Sequence, residues 1–237
     1  RCFREGLIRG AFPTAPGIDF HDIIAYSDLI FSSSVQEGFG YLFINAVQWK
    51  KPLLARSLDI MGDFTPFFHS DFHRLYDEVL VPSELVEIRV LFNSYVTFIE
   101  SFSGYLSAEQ TELLLREAET LCTGPLIDFS YLSPAIQADI LALSRSDPGL
   151  RRRISGENRP LIDRLENLLE TDAPDYPVSG EDVFGFEGYA RKCEAVFSAM
   201  RKGAPDPSPS APADTYIFNY FVKLENFRLI YAPYPPS

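Results

Sequence analysis

Apolar and polar positions alternate along this chain in blocks that change period several times. Short, largely apolar stretches at residues 7–12, 29–32, 53–55 and 78–82 have the length of strands, and 29–32 reads as buried by its continuous apolar run. Between the second and third of these, Leu42, Phe43, Ala46, Val47 and Trp49 recur at helical spacing, which predicts a helix over residues 39–50 with Trp49 in the core. Lys51-Pro52 ends that helix. A strand–helix–strand order this compact implies that 29–32 and 53–55 are neighbouring parallel strands with a right-handed crossover. A short helical pattern over residues 21–27 precedes them.

Beyond residue 82 the period becomes mostly helical. Ser107-Ala108-Glu109-Gln110 has the form of an N-cap with an acidic first turn, leading into a helix that includes 113–121. Ser133-Pro134 pairs an N-cap with proline at the first helical position and starts a helix to about 143. Residues 160–170 and 187–200 carry two more amphipathic patterns. Residues 202–214, rich in proline, serine and alanine, form a linker too poor in apolar groups to fold. The aromatic stretch 215–231 has Ile217, Phe221, Leu224, Phe227 and Tyr231 on one helical face, with a strand as the alternative, and must dock on something.

Composition narrows the functions open to the chain. The net charge of −12 opposes a main role in binding phosphate backbones or anionic membranes. No apolar run reaches the ~20 residues needed to cross a bilayer, and no signal peptide opens the sequence. Cys2, Cys122 and Cys193 are widely spaced and form no CxxC pair, so they read as buried free thiols of a cytoplasmic protein. His69 and His73 would share one helix face, but without an HExxH glutamate they read as surface histidines, and no metal is expected.

Candidate chemistry concentrates in Ser34-Val35-Gln36-Glu37-Gly38-Phe39-Gly40, between the apolar run 28–31 and the helical pattern. A strand that ends in serines and glycines before a helix places backbone N–H groups where anionic ligands bind. Glycine there lets a ligand approach the backbone, and Glu37 adds a carboxylate suited to sugar hydroxyls. His21, Asp22 and Ser32-Ser33 offer no catalytic triad or nucleophile elbow.

These residues resemble the C-terminal donor domain of GT-B-fold retaining glycosyltransferases, the family 4 or group 1 type. The likeness is carried by Tyr26-Ser27-Asp28-Leu29, Ser34, Glu37-Gly38-Phe39-Gly40 and Pro52-Leu53-Leu54-Ala55. Asp147-Pro148-Gly149-Leu150-Arg151-Arg152-Arg153 is similar to a turn near the end of such domains, with Phe186-Glu187, Tyr189-Ala190 and Val196-Phe197 similar to the closing helix. It implies an α/β fold with a partial doubly wound, Rossmann-like parallel sheet. The domain plan it implies is a donor-binding core over 1–82, a helical insertion over 83–124, C-terminal helices over 125–201, the 202–214 linker and a docking tail over 215–237.

The same resemblance assigns Glu37 to the donor sugar as the catalytic candidate, and Ser34, Gly38, Phe39, Gly40 and Asn45 to donor binding. The family's second glutamate is replaced by Asn45, eight residues after Glu37. An amide accepts and donates to ribose hydroxyls without the charge-assisted strength of a carboxylate. The partners implied are a nucleotide-diphosphate sugar as donor substrate, an acceptor of unknown identity and an N-terminal GT-B domain. No further cofactor and no nucleic acid are expected. The chain reads as the C-terminal part of a longer enzyme that is inactive as an isolated fragment, with a non-catalytic partner-binding module as the alternative.

Overall fold

A computed structural model describes residues 23–24, 26–38, 40–63, 68, 71–171, 190–191, 193–195, 197–198 and 221–232. The expected strand at 7–12, His21, Cys2, His69 and the 202–214 linker lie outside the described residues. The chain divides into two compact units, residues 1–76 with 164–195 and residues 77–163 with 196–237.

The first unit is built on a parallel sheet of β1 (Ile30–Ser32), β2 (Leu53–Arg56) and β3 (His73–Tyr76), in that spatial order. Ile30 pairs with Leu53 and Ser32 with Ala55, so the two strands expected to be parallel neighbours are parallel neighbours. Helix α1 (Tyr41–Gln48) lies between them in the chain and is shorter at both ends than its apolar pattern predicts. Gly40 starts it, and Lys50, at φ 50°, turns the chain out of it towards Pro52. Phe43 and Ala46 bury against Ile30, Leu53, Ala55 and Met61, while Trp49 packs on this core half-buried. The Lys51 ammonium donates to the Ser27 carbonyl at 3.0 Å, tying the helix exit to the approach of β1.

Two expectations need correction here. His73 sits in strand β3, so it does not share a helix face with His69, and it is buried rather than on the surface. Its ring packs edge-on against Phe72 and tilted against Phe68. The sequence Phe72-His73-Arg74-Leu75-Tyr76 hides a strand because polar side chains interrupt the apolar run. Pairing of Ala55 with Leu75 and of Arg56 with Tyr76 supplies the backbone bonds that the pattern does not advertise.

In the second unit β4 (Leu80–Pro82) pairs antiparallel with β5 (Leu126–Asp128) in a separate two-stranded sheet. The strand expected at 78–82 therefore does not belong to the parallel sheet. Helices α2 (Ile88–Glu100) and α3 (Ala108–Leu121), from the segment read as an insertion, share one core with both strands. Leu91, Tyr95, Ile99 and Leu114 are fully buried in it. Ser107 and Gln110 form a reciprocal capping box at the start of α3, satisfying two N-terminal backbone donors. Ser133 and Asp147 cap α4 (Pro134–Ser146) and α5 (Pro148–Glu157), each followed by proline at the first helical position. Helix α6 (Arg159–Glu170) follows in the chain, with residues 164–170 belonging to the first unit.

The aromatic tail docks in this unit, but its course over 222–231 corrects the expected continuous helix. Two short 3₁₀ turns, Leu224–Asn226 and Leu229–Tyr231, replace it. Val222, Leu224 and Leu229 enter the core, and the Phe227 ring meets Phe98 and Phe102 edge-on. The Glu117 carboxylate accepts the Leu224 N–H at 2.8 Å and fixes the entry of the tail. Arg151 and Arg152 are exposed, as a solvated helix face should be, whereas Arg153 forms an ion pair with Glu84. That contact holds the Glu84 carboxyl below its ordinary value.

Asn158, at the end of α5, completes the exposed edge of β4. Its amide accepts the Leu80 N–H at 2.8 Å and donates to the Leu80 carbonyl at 2.7 Å, as a neighbouring strand would. A third bond, from Nδ2 to the Ile154 carbonyl at 2.8 Å, anchors the amide to its own helix. Replacing Asn158 by alanine leaves both Leu80 backbone groups without their partner in a half-buried setting. We expect Asn158→Ala to lower stability by about 1–3 kcal/mol, read as a lower urea midpoint at unchanged slope.

Candidate functional site

The segment with the richest chemistry leaves the C-terminal end of β1 and enters α1. That edge of a parallel sheet is where ligands meet α/β folds, because the strands end there and helix starts point their N–H groups outward. Ser32 is buried at the end of β1, and its hydroxyl accepts the Ser34 N–H at 3.3 Å. The strand end is thus capped by Ser32, two residues before Ser34. Ser34 and Glu37 are half-buried, Gly38 is exposed and Phe39 lies outside the described residues.

The two glycines differ in what they do. Gly40 is buried and adopts φ 75° and ψ 34°, the left-handed conformation that costs other residues about 1–2 kcal/mol. Its carbonyl accepts the Phe43 N–H at 3.0 Å, opening α1 without any side-chain cap. Gly38 has no such constraint. A methyl group built on it meets no atom within 4 Å, so its missing side chain leaves open space beside Glu37 in the sequence.

Asn45 lies half-buried on α1, and its main-chain carbonyl accepts the Trp49 N–H at 2.8 Å. Glu37 thus stands on the loop before the helix and Asn45 on the helix after it. Tyr41, 68% exposed, adds an aromatic ring at the first position of α1 that sequence reasoning did not single out.

Two more residues at this edge were missed. Arg56 ends β2 and Tyr76 ends β3, both more than nine-tenths buried. The Arg56 guanidinium stands 5.5 Å from the centre of the Tyr76 ring, and the Tyr76 hydroxyl donates to the Ser32 carbonyl at 3.0 Å. The available signal was the arginine closing the apolar run Leu53-Leu54-Ala55, since a buried strand rarely ends on a cation without a use for it.

The described residues hold no cluster of three or more histidines, cysteines or acidic groups suited to a metal ion. Among them, no helix is long and apolar enough to cross a membrane. Cys122 and Cys193 are free and half-buried, and burial pushes the Cys122 thiol up.

No family model matches this chain, and no solved structure matches it. It is similar to mannosylglucosyl-3-phosphoglycerate synthase of Petrotoga mobilis, 24% identical over 242 residues. The alignment takes in 97% of this chain and 46% of that protein, so the chain spans about half the length of the relative it matches. The likeness runs over nearly the whole chain, including 83–124, which the glycosyltransferase resemblance leaves uncovered.

The contrast between the glycines is testable. Gly40→Ala should cost about 1–2 kcal/mol through the left-handed backbone, whereas Gly38→Ala should stay within about 0.5 kcal/mol of the parent. Thermal melts of the two variants measure the difference directly.

Proposed function

We propose that this chain is the donor-binding part of a glycosyltransferase that moves a sugar from a nucleotide-diphosphate sugar to an acceptor hydroxyl with retention. The observation that carries the reading is the left-handed Gly40 opening α1 at the C-terminal edge of a parallel sheet, with Glu37 on the loop before it. Similarity to a protein named as a mannosylglucosyl-3-phosphoglycerate synthase supports sugar transfer as the reaction class.

The chemistry asks for two kinds of group, and both are at hand. A nucleotide-sugar is a diphosphate between two polyols. In transfer, the bond from the anomeric carbon to the diphosphate oxygen breaks, a bond to the acceptor oxygen forms, and the acceptor hydroxyl's proton passes to the departing diphosphate. Negative charge gathers on the leaving diphosphate, where helix-start N–H groups stabilise it. Glu37 accepts hydrogen bonds from hydroxyls of the sugar, and Asn45 bonds the ribose. Ser34 and the backbone of Gly38 and Gly40 line the approach, and the same reading assigns Phe39 to donor binding. The remaining parts of the enzyme, an N-terminal GT-B domain and the acceptor site, belong to the same proposal.

Substitution separates the roles. Glu37→Gln keeps the shape and removes the charge-assisted part of its bonds, a loss of about 1.5–3 kcal/mol, or roughly ten- to a hundredfold in turnover efficiency. Affinity for a free nucleoside diphosphate, which has no sugar, should hardly change. Asn45→Ala should weaken the nucleoside diphosphate and leave sugar selectivity alone. Calorimetry with GDP-mannose, UDP-glucose and the corresponding diphosphates, beside a transfer assay on the full-length protein, distinguishes these outcomes. Equal losses of both ligand types in both variants would reassign the two residues. Absence of all nucleotide binding by the parent would favour a partner-binding module instead.

A further inference from the structure

The sugar chemistry leaves Tyr76 and Arg56 without a task, although they occupy the same sheet edge. Tyr76 is 3% and Arg56 4% exposed, an expensive location for a phenol and a guanidinium. Tyr76 stands on β3 and its hydroxyl bond reaches past the end of β2 to the Ser32 carbonyl of β1, 44 residues away in sequence. Arg56 lies against one side of this arrangement, and the Phe31 ring runs within 7° of parallel to the Tyr76 ring at 6.1 Å. The Tyr76 carbonyl also accepts the Ser57 N–H at 2.7 Å, so its backbone is tied to β2 just beyond Arg56.

Ser32 is therefore held and holding at once. Its carbonyl is gripped by Tyr76, and its hydroxyl accepts the N–H of Ser34, the second residue of the loop. A hydrogen bond in this buried place does not trade freely with water, so it sets the direction in which the chain leaves β1. Only a few residues separate that departure from Glu37 and from the Gly40 turn. An error of about 1 Å in such a placement is enough to cost a hundredfold in rate.

We propose that Tyr76, oriented by Arg56, is a positioning residue: its bond to the Ser32 carbonyl fixes the course of the 33–40 loop and so aims Glu37 and the start of α1 at the donor. This deepens the donor-site reading and rests on it. Tyr76 itself touches no reacting atom in this assignment, and Arg56 acts through the Tyr76 ring.

The test uses Tyr76→Phe, which keeps the ring stack and removes only the hydroxyl, with Arg56→Met as a second variant. Both are compared with the parent full-length protein by amide hydrogen exchange, thermal melting and calorimetry with GDP-mannose and UDP-glucose. We expect exchange at the amides of 33–38 and 40–42 to speed up on the order of threefold to tenfold. Amides of α2, α3, β4 and β5 should stay at the parent rate. Affinity for whichever nucleotide-sugar the parent binds should fall by a similar factor, with a smaller change for the free diphosphate. Unchanged exchange in the loop would overturn the inference. So would exchange that rises throughout the chain in step with a lower melting temperature, the mark of a merely structural tyrosine. If the parent binds neither nucleotide-sugar, the donor reading falls, and the aiming role falls with it even where the loop loosens.

Discussion

Strand β2 is bonded on both edges, to β1 through Ile30↔Leu53 and its neighbours and to β3 through Leu53↔His73 and its neighbours. A strand paired on both sides and covered on both faces has no solvent-facing surface, and all four residues of β2 are buried. That constraint orders the first unit. It requires an uninterrupted apolar run, aligns the three strands in parallel, and brings their C-terminal ends to one edge. Ser32, Arg56 and Tyr76 meet there because the registers of the two ladders leave them no other place.

On the donor reading proposed above, the edge has an electrostatic conflict to resolve. A chain of net charge −12 would repel a diphosphate at long range, so the attraction would have to be local. A helix start supplies partial positive charge within its first turn, and the effect fades beyond it. Precise placement of α1 then matters more than overall charge. The left-handed Gly40 gives the chain its sharp entry into the helix without a capping side chain whose oxygen would compete for the same N–H groups.

How much of this was legible in the sequence depended on whether the information was local. The β1–α1–β2 unit was, because two short apolar runs flank one helical period and Lys51-Pro52 marks the exit. Ser107 with Gln110, and Ser133 followed by proline, announced their helices for the same reason, whereas Asp147-Pro148 read only as a turn although it caps the ten-residue α5. Strand β3 was not, since His73 and Arg74 break its apolar run and only pairing with β2 defines it. The partner of β4 was equally hidden, as Leu80 and Asp128 find each other over a long stretch of helix. At the candidate site Glu37, Gly40 and Asn45 were visible in one segment, whereas Arg56 and Tyr76 reach it from other strands. The tail misled because aromatic residues at helical spacing also suit irregular chain, and the core around Phe98 and Phe102 selected two short turns.

Both units are assembled from separated stretches of chain: 1–76 needs 164–195, and 77–163 needs 196–237. During synthesis from the N-terminus neither can close when its first stretch leaves the ribosome. The groove that receives Val222, Leu224 and Leu229 stays open apolar surface until that stretch has been added. At elongation rates of roughly 5–20 residues per second, the 100 residues between Thr120 and Phe221 keep it uncovered for some seconds. Over that interval the apolar groove faces solvent, and the last dozen described residues act as the latch that ends the exposure.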